Sequence, residues 1–199
     1  YPLENIELPE NYMENHPFDL GVRSERDEEL AGYPRDPDEI KRHIREYYAM
    51  ISHLDAQVGR ILDKLEEQNR LEQTIVVVAG DNGLSVGQHG LMGKQNHYEH
   101  SLRVPLLFRG PGIPAGQRLD DFIYLLDIFP TLCDFCQLQI PATVDGISFA
   151  PRISSSAQEV TWQEKPRKHL YFAFTHLLRS VKSEDFKLTE CCGPDRRTL

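Results

Sequence analysis

Thr74-Ile75-Val76-Val77-Val78-Ala79-Gly80-Asp81-Asn82-Gly83 is the stretch on which the reading of the fold turns. From Thr74 to Val78 every side chain is β-branched, and such a run suits a strand covered on both faces, as in a parallel sheet. The run stops at glycine and a carboxylate, so the polar pair Asp81-Asn82 is expected just past the strand's carboxyl end. In parallel α/β sheets that is where ligands sit.

Upstream, Ile40, Ile44, Tyr47, Ile51, Leu54, Val58, Ile61 and Leu65 recur at alternating spacings of four and three. That places one apolar stripe on a helix of about eight turns, opposite Lys41, Arg45, Asp63, Lys64, Glu66 and Glu67. Pro37, Asp38 and Glu39 supply its start signals. Residues 1–37 show no sustained period and read as a surface connection. Downstream, residues 80–101 are polar and glycine-rich. Val104 to Phe108 makes a second short strand, and Gly110-Pro111-Gly112 turns the chain. A further helix is expected over Asp120 to Cys136. Helix, strand, loop, strand and helix in this order predict α/β architecture.

After Pro151 the texture changes. Ser154-Ser155-Ser156 resembles a linker, and His169–Phe174, Leu177–Lys182 and Phe186–Glu190 read as short strands joined by turns. The expected division is therefore 1–150 for the α/β part and 151–199 for a linker and the beginning of a small antiparallel unit.

The chain has 199 residues, 22 Lys+Arg against 31 Asp+Glu, and a formal net charge of −9. This acidic balance argues against a general nucleic-acid binder, which would carry a basic stripe. No apolar run is long enough to span a membrane. Four cysteines are too few for a disulfide scaffold. Cys133-x-x-Cys136 on an amphipathic helix reads as packing rather than redox or metal chemistry. The compartment stays open, as does the oligomeric state.

Asp81 and Asn82 offer carboxylate and amide oxygens, hard ligands preferred by calcium or magnesium over zinc. Two ligands do not hold a cation alone. Lys94, thirteen residues after Asp81, would set a positive charge against an anionic substrate group. The competing reading is that Asn82-Gly83 is only a hairpin turn and Lys94 a solvated lysine. Spacing leaves both open.

An ordered series of motifs bears on the choice. Tyr47 to Asp55, Val58 to Leu62, Gly80 to Gly83, Gly87-Gln-His-Gly-Leu91, Gly93-Lys94, Tyr98-Glu99, Arg103-Val-Pro105 and Asp127 to Leu132 together resemble the second half of a type I sulfatase catalytic domain, in the alkaline phosphatase superfamily. Arg179 to Lys182 and Phe186 to Leu188 resemble that family's C-terminal sheet. The resemblance implies part of an alkaline-phosphatase-like sheet flanked by helices, followed by the start of the small antiparallel subdomain. It implies Asp81 and Asn82 as calcium ligands (magnesium as the alternative), Lys94 as the sulfate contact, and a sulfated small molecule or glycan as substrate. Glu99 and Arg103 are expected to brace the loop as an ion pair. His89 is expected to be structural, and His97 and His100 to lie at the surface or behind the site.

The family's nucleophile is a formylglycine from a C/S-x-P-S-R motif, which this chain lacks. Cys192-Gly-Pro-Asp-Arg196 carries Asp195 in place of the serine and reads as coincidence. The chain opens without Met and stops within a small sheet, so a fragment, inactive alone, is expected. The alternatives are a phosphomonoester or phosphonate monoester hydrolase, and a non-catalytic binding fragment.

Overall fold

The computed structural model describes residues 1–153, 167–192 and the strand at 197–198. The Ser154–Ser156 stretch and most of the Cys192–Arg196 motif lie outside the described residues.

One long helix, α1 (Pro37–Glu67), dominates the first half. Asp36 caps it by accepting from the Glu39 amide at 2.8 Å, and Pro37 fills the first turn, where no amide is needed. Asn69, with φ at 54°, turns the chain left-handed after the last turn, as expected of a residue ending a helix. Only the N-terminal part of the apolar stripe is covered: Ile40 and Ile44 are buried, whereas Ile51, Leu54 and Ile61 are exposed.

β1 (Val76–Ala79) follows, and its described partner is β4 (Leu106–Arg109), in the register Val76↔Arg109 to Ala79↔Leu106. The pair is antiparallel, which corrects the expectation of a parallel neighbour on this side. β1 is also not covered on both faces. Val76 and Val77 are half-buried, but Val78 and its partner Leu107 are exposed. A β-branched run states that a strand tolerates burial on two sides; it does not say how many neighbours the strand has or which way they run.

Between β1 and β4 lie the short antiparallel pair β2 (Ser85–Val86) and β3 (Met92–Gly93) and one turn of helix, α2 (Glu99–Leu102). The helix expected over Asp120 to Cys136 is shorter. A 3-10 turn at Leu125–Asp127 leads into α3 (Ile128–Phe135), and α4 (Ala150–Ile153) packs against it. Asp127 explains the late start: its carboxylate accepts from the amides of Tyr124 and Ile147 and from Arg167. Cys133 is buried but Cys136 is exposed, so only the first of the two thiols packs.

β5 (Leu170–Phe174), β6 (Leu178–Lys182), β7 (Lys187–Cys191) and β8 (Arg197–Thr198) form an antiparallel sheet in that order, with the first three where the sequence predicts them.

Residues 1–37 are not a surface connection. Ile6 and Ala31 share a buried cluster with Ile40, Ile44, Val86 and Met92. Leu20 and Val22 share another with Leu91, Leu178 and Cys191. The second cluster joins the opening segment, the glycine-rich loop and the C-terminal sheet. Irregular backbone buries these side chains through closely spaced local turns, which leave no periodic signal in the sequence. Among the described residues, no helix is long and apolar enough to cross a membrane.

Candidate active site

The carboxyl end of β1 opens into a cavity of about 2410 Å³, and Asp81, Asn82 and Lys94 all line it. That cavity is broad and open, and its lining extends from Glu72 to Asp185. Asp81 and Asn82 are exposed there, and the backbone N–H of Asn82 donates to the Asp81 Oδ1 at 2.8 Å. The hairpin alternative for Asn82-Gly83 does not occur, because β1 pairs with β4 and not with β2. Gly83 instead lies flat on α2: its amide donates to the Ser101 carbonyl at 2.9 Å, and a Cβ at this position would stand 2.0 Å from the His100 carbonyl oxygen.

Lys94 stands at the head of the loop joining β3 to α2. Among the described residues its ammonium has no hydrogen-bond or ion-pair partner. Its charge adds to the hydrogen bonds from Arg26 and Gln95 that hold the Asp27 carboxyl below the usual range. Gln95 donates to Asp27 at 3.1 Å, and Asn96 donates to the Ser85 hydroxyl at 3.0 Å.

Of the two alternatives for His97 and His100, the surface or behind the site, both take the second. His97 is buried, with Nδ1 2.7 Å from the Ser180 hydroxyl, which in turn lies 2.8 Å from Thr189. His100 Nε2 lies 2.6 Å from the Ser85 hydroxyl. Burial, reinforced by nearby positive charge, pushes both imidazoles down to about 4. His89 takes a left-handed φ of 53° and stacks on Tyr98 at 4.1 Å between ring centres, consistent with a structural part.

Glu99 does not pair with Arg103. It takes Lys182 at 2.6 Å and Lys187 at 3.0 Å, both from the C-terminal sheet. Burial pushes its carboxyl up, but these two contacts outweigh burial and leave it below the usual range. Side chains from a sheet some 85 positions away give no signal in local spacing, so sequence reading assigned Glu99 to its near neighbour.

Could this set hold a metal? Asp81 and Asn82 present two hard oxygen donors to the cavity, which suits part of a calcium or magnesium shell. Among the described residues, no group of three or more His, Cys, Asp or Glu is arranged to hold an ion. The residues present fit two ligands of such a site and do not complete it.

Comparison with known proteins gives the class. The family model described as Sulfatase matches residues 11–138, and that described as N-sulphoglucosamine sulphohydrolase, C-terminal, matches residues 87–192. The chain belongs to the sulfatase family, with an alkaline-phosphatase-like α/β fold. Arylsulfatase K of Canis lupus familiaris is 36% identical over 133 residues, covering 67% of this chain and 24% of that protein. A solved structure in complex with its substrate D-glucosamine-2-N,6-O-disulfate superimposes with a TM-score of 0.72 at 26% identity, covering 89% of this chain and 37% of the other. The phosphonate monoester hydrolase of Agrobacterium radiobacter superimposes with a TM-score of 0.70 at 26% identity, covering 82% and 35%. The chain thus spans about a quarter of the length of the curated relative and just over a third of each solved structure.

Proposed function

We propose that the polypeptide containing this chain hydrolyses a sulfate ester, and that this chain supplies part of the site. The observation that carries the reading is that Asp81, Asn82 and Lys94 all line one large open cavity, in a chain of the sulfatase family. Asp81 and Asn82 are the residues that would hold the cation, calcium in the first instance and magnesium as the alternative. When bound, the cation would draw the anionic group into place and offset its negative charge.

Lys94 contributes a fixed positive charge against the sulfate oxygens. Negative charge builds on the bridging ester oxygen as its bond to sulfur lengthens, so an ammonium placed against that oxygen favours the transition state over the ground state. Asp81 lies two residues beyond the end of β1, whose pairing with β4 runs to Ala79↔Leu106. The nucleophile, a formylglycine by family resemblance, is assigned outside these 199 residues, and the segment alone is inactive. The substrate class is a sulfated small molecule or glycan.

A second reading is a phosphonate or phosphate monoester hydrolase, which the superposition on the Agrobacterium radiobacter enzyme favours. Turnover separates the two. With calcium, the full polypeptide should release a phenol from its sulfate ester faster than from its phosphate or phosphonate ester. The reverse order overturns the sulfatase reading, and no turnover of any of them leaves a binding role.

A further inference from the structure

We infer that Lys187, from the C-terminal sheet, is a positioning residue that fixes the loop carrying Lys94. Among the described residues the Lys94 ammonium has no partner of its own, so where its charge lies depends on how firmly residues 94–98 are held. That loop has little backbone order: within it, the Asn96 amide donates to the Lys94 carbonyl at 2.8 Å. Side chains hold the rest. Gln95 ties the near end to Asp27 and Asn96 ties the middle to Ser85.

The far end depends on β7. The Lys187 ammonium donates to the His97 carbonyl at 2.6 Å and to Glu99 Oε1 at 3.0 Å. One charged group thus spans the last turn of the loop and the first residue of α2. Among the described residues, Lys182 donates to Glu99 Oε2 at 2.6 Å and makes no hydrogen bond to the loop backbone. The His97 ring is fixed from the same sheet through Ser180. A charged donor on a backbone carbonyl is among the stronger anchors available to an irregular segment, and a loop that loses such an anchor opens locally without the fold unfolding. A lysine that wanders by an ångström loses much of its effect on the reacting group.

The inference rests on the reading of Lys94 as the sulfate contact for its functional consequence, but not for its structural one. The test therefore has two arms. Amide hydrogen exchange is followed on this chain and on Lys187→Met, Lys187→Arg and Lys182→Met. Lys187→Met should speed exchange at residues 95–98 on the order of tenfold, with the β1 and β4 amides unchanged. Lys187→Arg should restore protection, and Lys182→Met should have a much smaller effect. Unchanged exchange in the loop, or acceleration spread equally over β1 and β4, overturns the inference.

In the full polypeptide, Lys187→Met should lower kcat for an aryl sulfate on the order of tenfold and have little further effect once Lys94 is alanine. Losses that simply multiply would show that Lys187 does not act through Lys94. A loop that responds in exchange, in a protein that turns over no sulfate ester, upholds the positioning and overturns only the sulfatase reading.

Discussion

Arg35 and Glu28 form an ion pair whose side chains are 0% and 1% exposed, and it joins the opening segment to the glycine-rich loop. Arg35 also donates to the carbonyls of Gly90 at 3.1 Å and Glu28 at 2.9 Å, while Glu28 accepts from the Met92 amide and the Tyr33 hydroxyl. The guanidinium lies over the Tyr33 ring at 3.7 Å. Every polar group at this junction is satisfied by another, so removing one member strands the rest. Arg35→Met should cost roughly 3–5 kcal/mol, the scale for leaving a buried charge without its partner. Urea unfolding measures this, and Arg35→Met combined with Glu28→Met should lose less than Arg35→Met alone. A single-variant loss below about 1 kcal/mol would mean that the junction opens to water.

Gly83 tests why a glycine follows the Asp81-Asn82 pair. Its space is closed by the His100 carbonyl oxygen, 2.0 Å from where a Cβ would stand. Gly83→Ala must push α2 and the Asp81-Asn82 segment apart, at a cost of roughly 1–3 kcal/mol, the usual scale for overpacking. Amide exchange should rise at Gly83, whose donor bond to Ser101 spans the same contact. An alanine variant as stable as the parent, with that amide still protected, would show that the contact relaxes freely.

Much of this was legible in the sequence, and the misses have one cause. The α1 stripe is periodic, β1 is a continuous β-branched run and the C-terminal strands are short runs joined by turns, and each of these signals survives in a single chain. Residue chemistry and ordered motifs single out Asp81, Asn82 and Lys94, which line one cavity; their roles are the proposal above. The segment before Pro37 was misread because Leu20 and Val22 are buried by contact with Leu91 and Leu178, distant in sequence. Glu99 was given to Arg103 for the same reason: its partners arrive from β6 and β7. For His97 the sequence leaves the surface and a place behind the site open, and the choice between them is made by Ser180 and Lys187, which arrive from the C-terminal sheet. Long-range pairing, and the direction in which a strand's neighbours run, are properties of the folded chain that local pattern does not carry.

His97, buried, and His100, half-buried, set a pH dependence whose sign follows from their environment. His97 and His100 are both held down at about 4, chiefly by burial, whereas an unfolded chain protonates histidine near 6.5. Above the unfolded value neither state binds a proton and nothing is lost. As pH falls from about 6.5 toward about 4, the unfolded chain takes up protons that the folded chain refuses, so stability falls. The urea midpoint should therefore drop between about pH 7 and about pH 5, before most carboxylates titrate. Substituting both residues, as His97→Asn with His100→Gln, should flatten that slope even where it lowers overall stability. A slope unchanged by the double substitution assigns the effect elsewhere.

Lys94 and Asp81 should fail in different ways if their proposed roles hold. In the full polypeptide, Lys94→Ala should lower turnover of an aryl sulfate by roughly 10²–10³, the scale for removing one preorganised charge stabiliser. It should leave the calcium concentration needed for half-maximal activity unchanged, because the lysine holds substrate and not metal. Asp81→Asn keeps the shape of the side chain but removes its charge, so calcium should be needed at higher concentration, and excess calcium should recover part of the rate. Both variants should unfold at the parental urea midpoint, since both side chains are exposed in the cavity and neither fills the core. A Lys94→Ala enzyme whose calcium requirement rises in step with its lost rate would place the lysine in the metal site. An Asp81→Asn enzyme with parental rate and parental calcium dependence would remove Asp81 from it, leaving the pair as a surface turn beside β1.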